Sequence, residues 1–321
     1  MAATNERIEA DPAVQNDDDS AFQDGESRLD STASITSSLL KYRELHGRTY
    51  QTSKTTEYWA PNDERQLEAF DVCHQMCTMM LGDKLHIAPI SGDVKKVLDI
   101  GTGTGIWAKD FADEHPDTEV IGIDITPTQS SWMPPNVKFE IEDAQLDWTF
   151  QPESFDFIHL RYMHGSFADW DKLFSEMYKA LKPGGWFQHV EPDIEINSDH
   201  PDISIDEKHV FSQWAQAFYQ AGDRLNRTFR VSQQMPKWPE KAGFKNIEHK
   251  VFKLPVSPWP KDKNLKAQGA YCGLYLDLSL EGFANFPLGE ILGWSQEQVH
   301  VLVANYRAAI RDPNNRGIGY M

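Results

Sequence analysis

The sequence predicts a doubly wound α/β domain with a mostly parallel sheet, and two observations predict it. From Lys96 to Glu191, short apolar runs of strand length alternate with stretches of helical periodicity. A glycine-rich turn, Gly101-Thr102-Gly103-Thr104-Gly105, follows the first apolar run and leads straight into a helical one. Open α/β sheets bind ligands at that place, outside the carboxyl end of a strand.

The elements follow in order. Residues 1–38 carry the acidic run Asp17-Asp18-Asp19 and a Ser/Thr stretch from Ser31 to Ser38, with sparse apolar residues and no sustained period. A disordered tail is expected there, with docking of a protein partner as the alternative role. The folded domain is expected over 39–321, opening with a helical cap over 39–95. Within the cap, Pro61 and Asn62 start a helix that runs to Leu81, with Leu67, Phe70, Cys73 and Cys77 at helical spacing.

The core is expected over 96–191. Its strands are Lys96–Ile100, Glu119–Ile123, Val137–Ile141, Phe155–Leu160 and Trp186–Glu191, with helices at Ile106–Glu114 and Phe167–Leu181. The rest, 192–321, reads as helices covering the substrate plus a sixth strand. The helices are expected at 202–228, 231–242, 264–280 and 295–310, and the strand at Phe244–Leu254.

Composition bounds the partners. The 321 residues carry a formal net charge of -18, which disfavours the phosphate backbone of nucleic acids and an anionic membrane surface. No run of about 18 apolar residues reads as a membrane span, and no apolar segment near Met1 reads as a signal peptide. Three cysteines, Cys73, Cys77 and Cys272, suit a reducing compartment rather than a disulfide scaffold. The cytoplasm is the expected location, with the nucleus as alternative. Cys73 and Cys77 share a helix face, but no second ligand pair stands at suitable spacing, so no metal site is expected.

The glycine turn narrows the ligand. A dinucleotide fingerprint needs glycine where Ile106 stands, and a P-loop needs a Lys-Ser/Thr pair that does not follow. The pattern that remains, Asp99-x-Gly101-x-Gly103-x-Gly105, resembles that of class I S-adenosylmethionine-dependent methyltransferases. The resemblance extends to Asp124 at the end of the second strand, Glu142-Asp143-Ala144 after the third, and Lys182-Pro183-Gly184-Gly185 before the fifth. It implies S-adenosylmethionine as cofactor, held by Asp99, Gly101, Thr102, Gly103, Gly105, Asp124, Ile125, Asp143, Ala144 and Arg161. Asp99 would face the amino-acid portion, Asp124 would accept from the ribose hydroxyls, and Asp143 would accept from the adenine amino group.

Flanking motifs are more specific. Tyr58-Trp59-Ala60-Pro61-Asn62-Asp63-Glu64 with Asp71 and His74, Pro258-Trp259-Pro260-Lys261-Asp262, and Leu292-Gly293-Trp294-Ser295 resemble the fungal LaeA-like methyltransferases of secondary metabolism. The resemblance covers about residues 40 to 311 and implies that His74 lines the cofactor pocket. That family includes both regulators of metabolite genes and enzymes that methylate pathway intermediates. One departure concerns the sheet edge. Such domains end on an antiparallel strand, and the Gly/Asn-rich stretch Asp312–Met321 leaves that strand missing or short.

A hydroxyl acceptor calls for a general base. His164, His189 and Glu191, near the ends of the fourth and fifth strands, are the candidates. Tyr162, Trp214, Phe218 and Trp259 are the candidates for contacting substrate. The leading function is methyl transfer to an O or N atom of a small-molecule intermediate. The alternative is a LaeA-like regulator acting through protein partners.

Overall fold

The computed structural model describes Glu9 and residues 42–321, apart from residues 54, 91 and 131. The tail expected over 1–38 lies, save Glu9, outside the described residues.

A short hairpin precedes the predicted cap helix. Strands β1 (Arg43–Leu45) and β2 (Arg48–Tyr50) pair antiparallel across His46-Gly47, both at positive φ, 51° and 74°. That turn matches the twist of a two-residue hairpin. The sequence predicts a helical cap, and the hairpin departs from that. Helix α1 (Glu64–Met80) follows, and its N-cap Asp63 serves two masters. The carboxylate accepts from Gln66 N, closing the helix end, and takes a bidentate pair from Arg48 at 2.6 and 2.8 Å. Hairpin and helix are thus fixed to each other.

The central sheet has five parallel strands: β3 (Lys96–Ile100), β4 (Glu119–Asp124), β5 (Val137–Ile141), β6 (Phe155–Arg161) and β7 (Leu181–Val190). Their order is β5-β4-β3-β6-β7. The chain moves outward one way from β3 to β5, then crosses to the other side of β3 at β6. Loops after β3 and β6 diverge at that switch and leave a crevice. Helices α2 (Ile106–Glu114) and α3 (Trp170–Ala180) cover opposite faces. Alternation along β3 makes this work: Val97 packs with Trp107 and Phe111, while Leu98 and Ile100 pack with Phe174 and Met177.

The second half is a helical layer. It comprises α4 (Val210–Leu225), α5 (Lys237–Ala242), α6 (Lys263–Ala284), a π-helical turn (Asn285–Ile291) and α7 (Gln296–Arg311). Its apolar side chains form one cluster with α1, including Met76, Trp214, Phe283 and Tyr306. Helix α4 starts at Val210 rather than near 202, where the His209 side chain caps it. Helix α5 is confined to the stretch after Pro236, which stands at its N-cap.

The sixth strand differs from expectation. Only β8 (Lys253–Pro255) forms a ladder, and it pairs with β9 (Ile318–Tyr320) rather than with the central sheet. Polar residues interrupt the apolar pattern from Phe244 to Phe252, and Asn246 takes a positive φ of 55°. The final antiparallel strand exists but is three residues long.

Candidate active site

The crevice beyond β3 and β4 is lined on one side by the glycine turn. Gly101, Gly103 and Gly105 have φ of 67°, 57° and 76°, a region other residues reach only with strain. The N–H groups of Gly101 and Thr102 donate to Ile123 O, which holds the turn against the end of β4. A Cβ on Gly103 would meet nothing nearer than 4.0 Å, so this backbone lies open to the cleft. Gly105 serves differently. It is the N-cap of α2 and does not line the cleft; its missing Cβ makes room for the Phe139 ring.

Two carboxylates, at the end of β4 and after β5, stand beside the turn and line the cleft. Asp124 accepts from Gly103 N and Thr126 N, both at 2.9 Å, and still has lone pairs facing the cleft. Burial raises its pKa to about 6, against the lowering effect of those N–H groups. Asp143 accepts from Gln145 N through Oδ1, while its buried Oδ2 has no partner among the described residues. An orphaned carboxylate oxygen in a cleft wall demands a donor from a ligand. Ile125, Ala144 and Phe167 supply apolar surface beside it.

Asp99, expected to face the cofactor, does not line the cleft. It is buried under the turn. Its Oδ2 accepts from the Thr102 hydroxyl at 2.6 Å and its Oδ1 from His159 Nδ1 at 2.7 Å. The His159 ring lies flat on Trp107, 3.7 Å between centroids. Burial lowers the His159 pKa to about 4, so the ring is neutral and donates one proton to Asp99. Asp99 therefore braces the glycine turn from below.

The three general-base candidates are corrected in the same way. None of His164, His189 and Glu191 lines the cleft. The Glu191 side chain has no exposure and receives Met163 N at 2.6 Å, His164 N at 3.1 Å, His164 Nδ1 at 3.3 Å and His189 Nε2 at 2.9 Å. Despite burial, those donors from His164 and His189 hold its pKa down to about 2. Both oxygens of the carboxylate are already taken by these donors. It holds the loop after β6, whose Met163 packs against Gly101 and lines the cleft.

The aromatic candidates divide. Tyr162 lines the cleft, at a positive φ of 57°. Trp214, Phe218 and Trp259 are 6%, 3% and 2% exposed and do not reach it. Trp214 stacks on Phe218, and the Trp259 indole donates to Gly317 O. These three are core.

Arg161 lines the cleft, and its guanidinium donates to His74 Nδ1 at 2.9 Å. His74 then donates from Nε2 to Asp110 at 2.8 Å, so it orients Arg161 without lining the cleft itself. The Cys77 thiol pKa is lowered by its bond from Cys73 and by Arg161, while burial raises those of Cys73 and Tyr162.

The second wall was only partly read from sequence, which expected the cap helix to reach the pocket through His74. Tyr58, Asn62, Phe70 and Cys73, from the cap, form a further wall of the cleft, with Phe70 next to Gly103. Only the Tyr58–Glu64 motif signalled them. Among the described residues, the acids lining the cleft are Asp124, Glu142 and Asp143, all on the sheet side. The cap wall is neutral and aromatic. No group of three or more potential metal ligands occurs among the described residues.

Comparison with known proteins agrees with this geometry. A family model described as a methyltransferase domain matches residues 73–249. The chain is 37% identical over 278 residues to methyltransferase pytC of Aspergillus terreus, covering 86% of this chain and 85% of that protein. It is 33% identical to the secondary metabolism regulator LAE1 of Cochliobolus heterostrophus, covering 78% and 82%. It is 30% identical to the protein-methionine methyltransferase laeA of Emericella nidulans, covering 84% and 71%. With a family match over more than half of the chain and relatives at 30–37% identity covering most of it, the chain belongs to the methyltransferase family.

Proposed function

We propose that this chain transfers a methyl group from S-adenosylmethionine to an O or N atom of a small-molecule intermediate of secondary metabolism. The observation that carries the reading is the unpartnered Asp143 Oδ2 beside Asp124 in the cleft. The cofactor, when bound, supplies a methyl made electrophilic by a sulfonium. Asp124 would accept from its ribose hydroxyls and Asp143 from its adenine amino group. Gly101 and Gly103 allow the backbone to approach its amino-acid portion. The cap wall, with Tyr58, Phe70 and Cys73, and Tyr162 from the loop after β6 align the acceptor and keep water out; alignment alone supplies much of the acceleration in such displacements. With no acid on that wall, an acceptor that is already nucleophilic, such as an amine or an ionised phenol, fits best.

A regulatory reading rests on the identities of 33% and 30% to proteins named for regulation and for protein methionine. The 37% identity to pytC favours the enzyme reading. Incubation with methyl-labelled cofactor and a fungal metabolite extract separates the two. Label in small organic products supports the proposal. Label confined to protein supports the regulator.

A further inference from the structure

The cofactor cleft sorts its titratable groups by wall. Asp124, Glu142 and Asp143 stand on the sheet side, and Arg161 is the only Lys or Arg among the described lining residues. Its guanidinium is tied to His74 Nδ1 at 2.9 Å. On the side where the acceptor is aligned, the lining groups able to exchange a proton are Tyr58, Tyr162 and Cys73. No histidine lines the cleft among the described residues.

The two phenols report the environment that an acceptor meets. Burial pushes the Tyr58 hydroxyl up, and the charges of Asp124 and Glu191 push the same way. Burial pushes Tyr162 well above the ordinary phenol range, with the neighbouring thiols and Tyr275 adding to it; the Tyr275 ring packs edge-on at 5.8 Å. Burial raises the Cys73 thiol as well. These groups stay protonated at neutral pH, so none serves as a general base.

A substrate phenol seated among them meets the same two effects, burial and nearby carboxylates, and both oppose its ionisation. Burial acts on an amine in the opposite sense and favours the uncharged form, which is the nucleophile. The carboxylates pull an amine the other way, but for both tyrosines burial is the larger effect.

The balance of charge during transfer agrees. An amine nitrogen forms its bond to the methyl carbon with its own lone pair, while the carbon–sulfur bond breaks and leaves its electron pair on sulfur. A single positive charge moves from sulfur to nitrogen, and the charge held in the cleft is unchanged. The sheet-side acids and the rings of Tyr58, Phe70 and Tyr162 keep a cation beside them throughout. The ammonium product carries its proton out to water, so no base is needed in the cleft. Transfer to a phenolate instead cancels both charges and leaves the acids with Arg161 alone, in a medium where an unpaired charge is costly.

We propose that the acceptor atom is the nitrogen of an uncharged amine, on a molecule whose body is flat and apolar enough to lie against Tyr58, Phe70 and Tyr162; this rests on the methyl-transfer reading and narrows it to nitrogen.

The test uses the full chain, S-adenosylmethionine labelled with carbon-13 in its methyl group, and a fungal metabolite extract. Cofactor binding by the same sample is first confirmed by calorimetry. The small-molecule fraction is then read by carbon NMR, in which methyl carbons on nitrogen and on oxygen resonate apart. Label on nitrogen is expected to exceed label on oxygen at least tenfold. Label mainly on oxygen overturns the inference and leaves methyl transfer to a small molecule standing. Label absent from the small-molecule fraction, with cofactor binding intact, overturns the methyl-transfer reading and the inference with it.

Discussion

Replacing Glu191 by Gln distinguishes a positioning carboxylate from a general base. The substitution keeps the shape and removes the charge. Four donors converge on this carboxylate, two of them the backbone N–H groups of Met163 and His164. An amide presents one oxygen to them and turns an NH2 group against the rest. The native pKa is held down to about 2 from the ordinary 4.5. At about 1.36 kcal/mol per unit, the ionised form is favoured by roughly 3 kcal/mol in the fold. Glu191→Gln is therefore expected to lose about 3 kcal/mol of stability in urea unfolding at pH 7. The sign follows from a depressed carboxylate pKa. The contribution is fully present above 4.5 and is lost as pH falls toward 2, so the wild type and the variant converge in acid. Cofactor affinity falls too, because Met163 packs on Gly101. A variant as stable as the wild type, with normal cofactor affinity and no methyl transfer, would refute the positioning role and restore the general base.

Three further outcomes are expected. Affinity for S-adenosylmethionine should fall as pH drops through about 6, because Asp124 there takes up a proton and loses an acceptor; Asp124→Asn should bind weakly with no such dependence in calorimetric titrations across pH. Gly105→Ala places a Cβ against the Phe139 ring at a φ of 76°, and should cost about 2 kcal/mol or more in thermal unfolding, partly recovered by Phe139→Leu. Trp214→Ala should cost about 3 to 5 kcal/mol while leaving the affinity for acceptor unchanged in the fraction that remains folded, since Trp214 packs between Phe218 and Tyr306.

The core of the fold was legible because its signals are local. Leu98 and Ile100 alternate with Val97 within one strand, and the glycine turn names its own place at the strand end. Asp124 and Asp143 could be placed at the crevice from sequence because strand ends carry them there. Asp99 was misplaced because the motif shows a carboxylate at the right position but not that Thr102 and His159 already occupy both its oxygens. His159 lies sixty residues away and carries no motif. The same non-local pairing hid the saturation of Glu191. The cap helix was expected at the pocket, but His74 was chosen instead of Phe70 and Cys73, because nothing in the periodicity of α1 says which face meets the sheet. Trp214 and Phe218 show the converse limit: aromatic spacing reads alike for a lid and for a core, and only packing in the cluster with Tyr306 of α7 decides.

The measurement that tests the central claim most directly is calorimetric titration with S-adenosylmethionine, using the wild type and Asp124→Ala. The expected result is binding in the micromolar range that is lost in the variant, because a bond to a charged acceptor is worth about 1.5 to 3 kcal/mol and a ribose offers two hydroxyls. A folded wild-type protein that binds no cofactor would contradict the account.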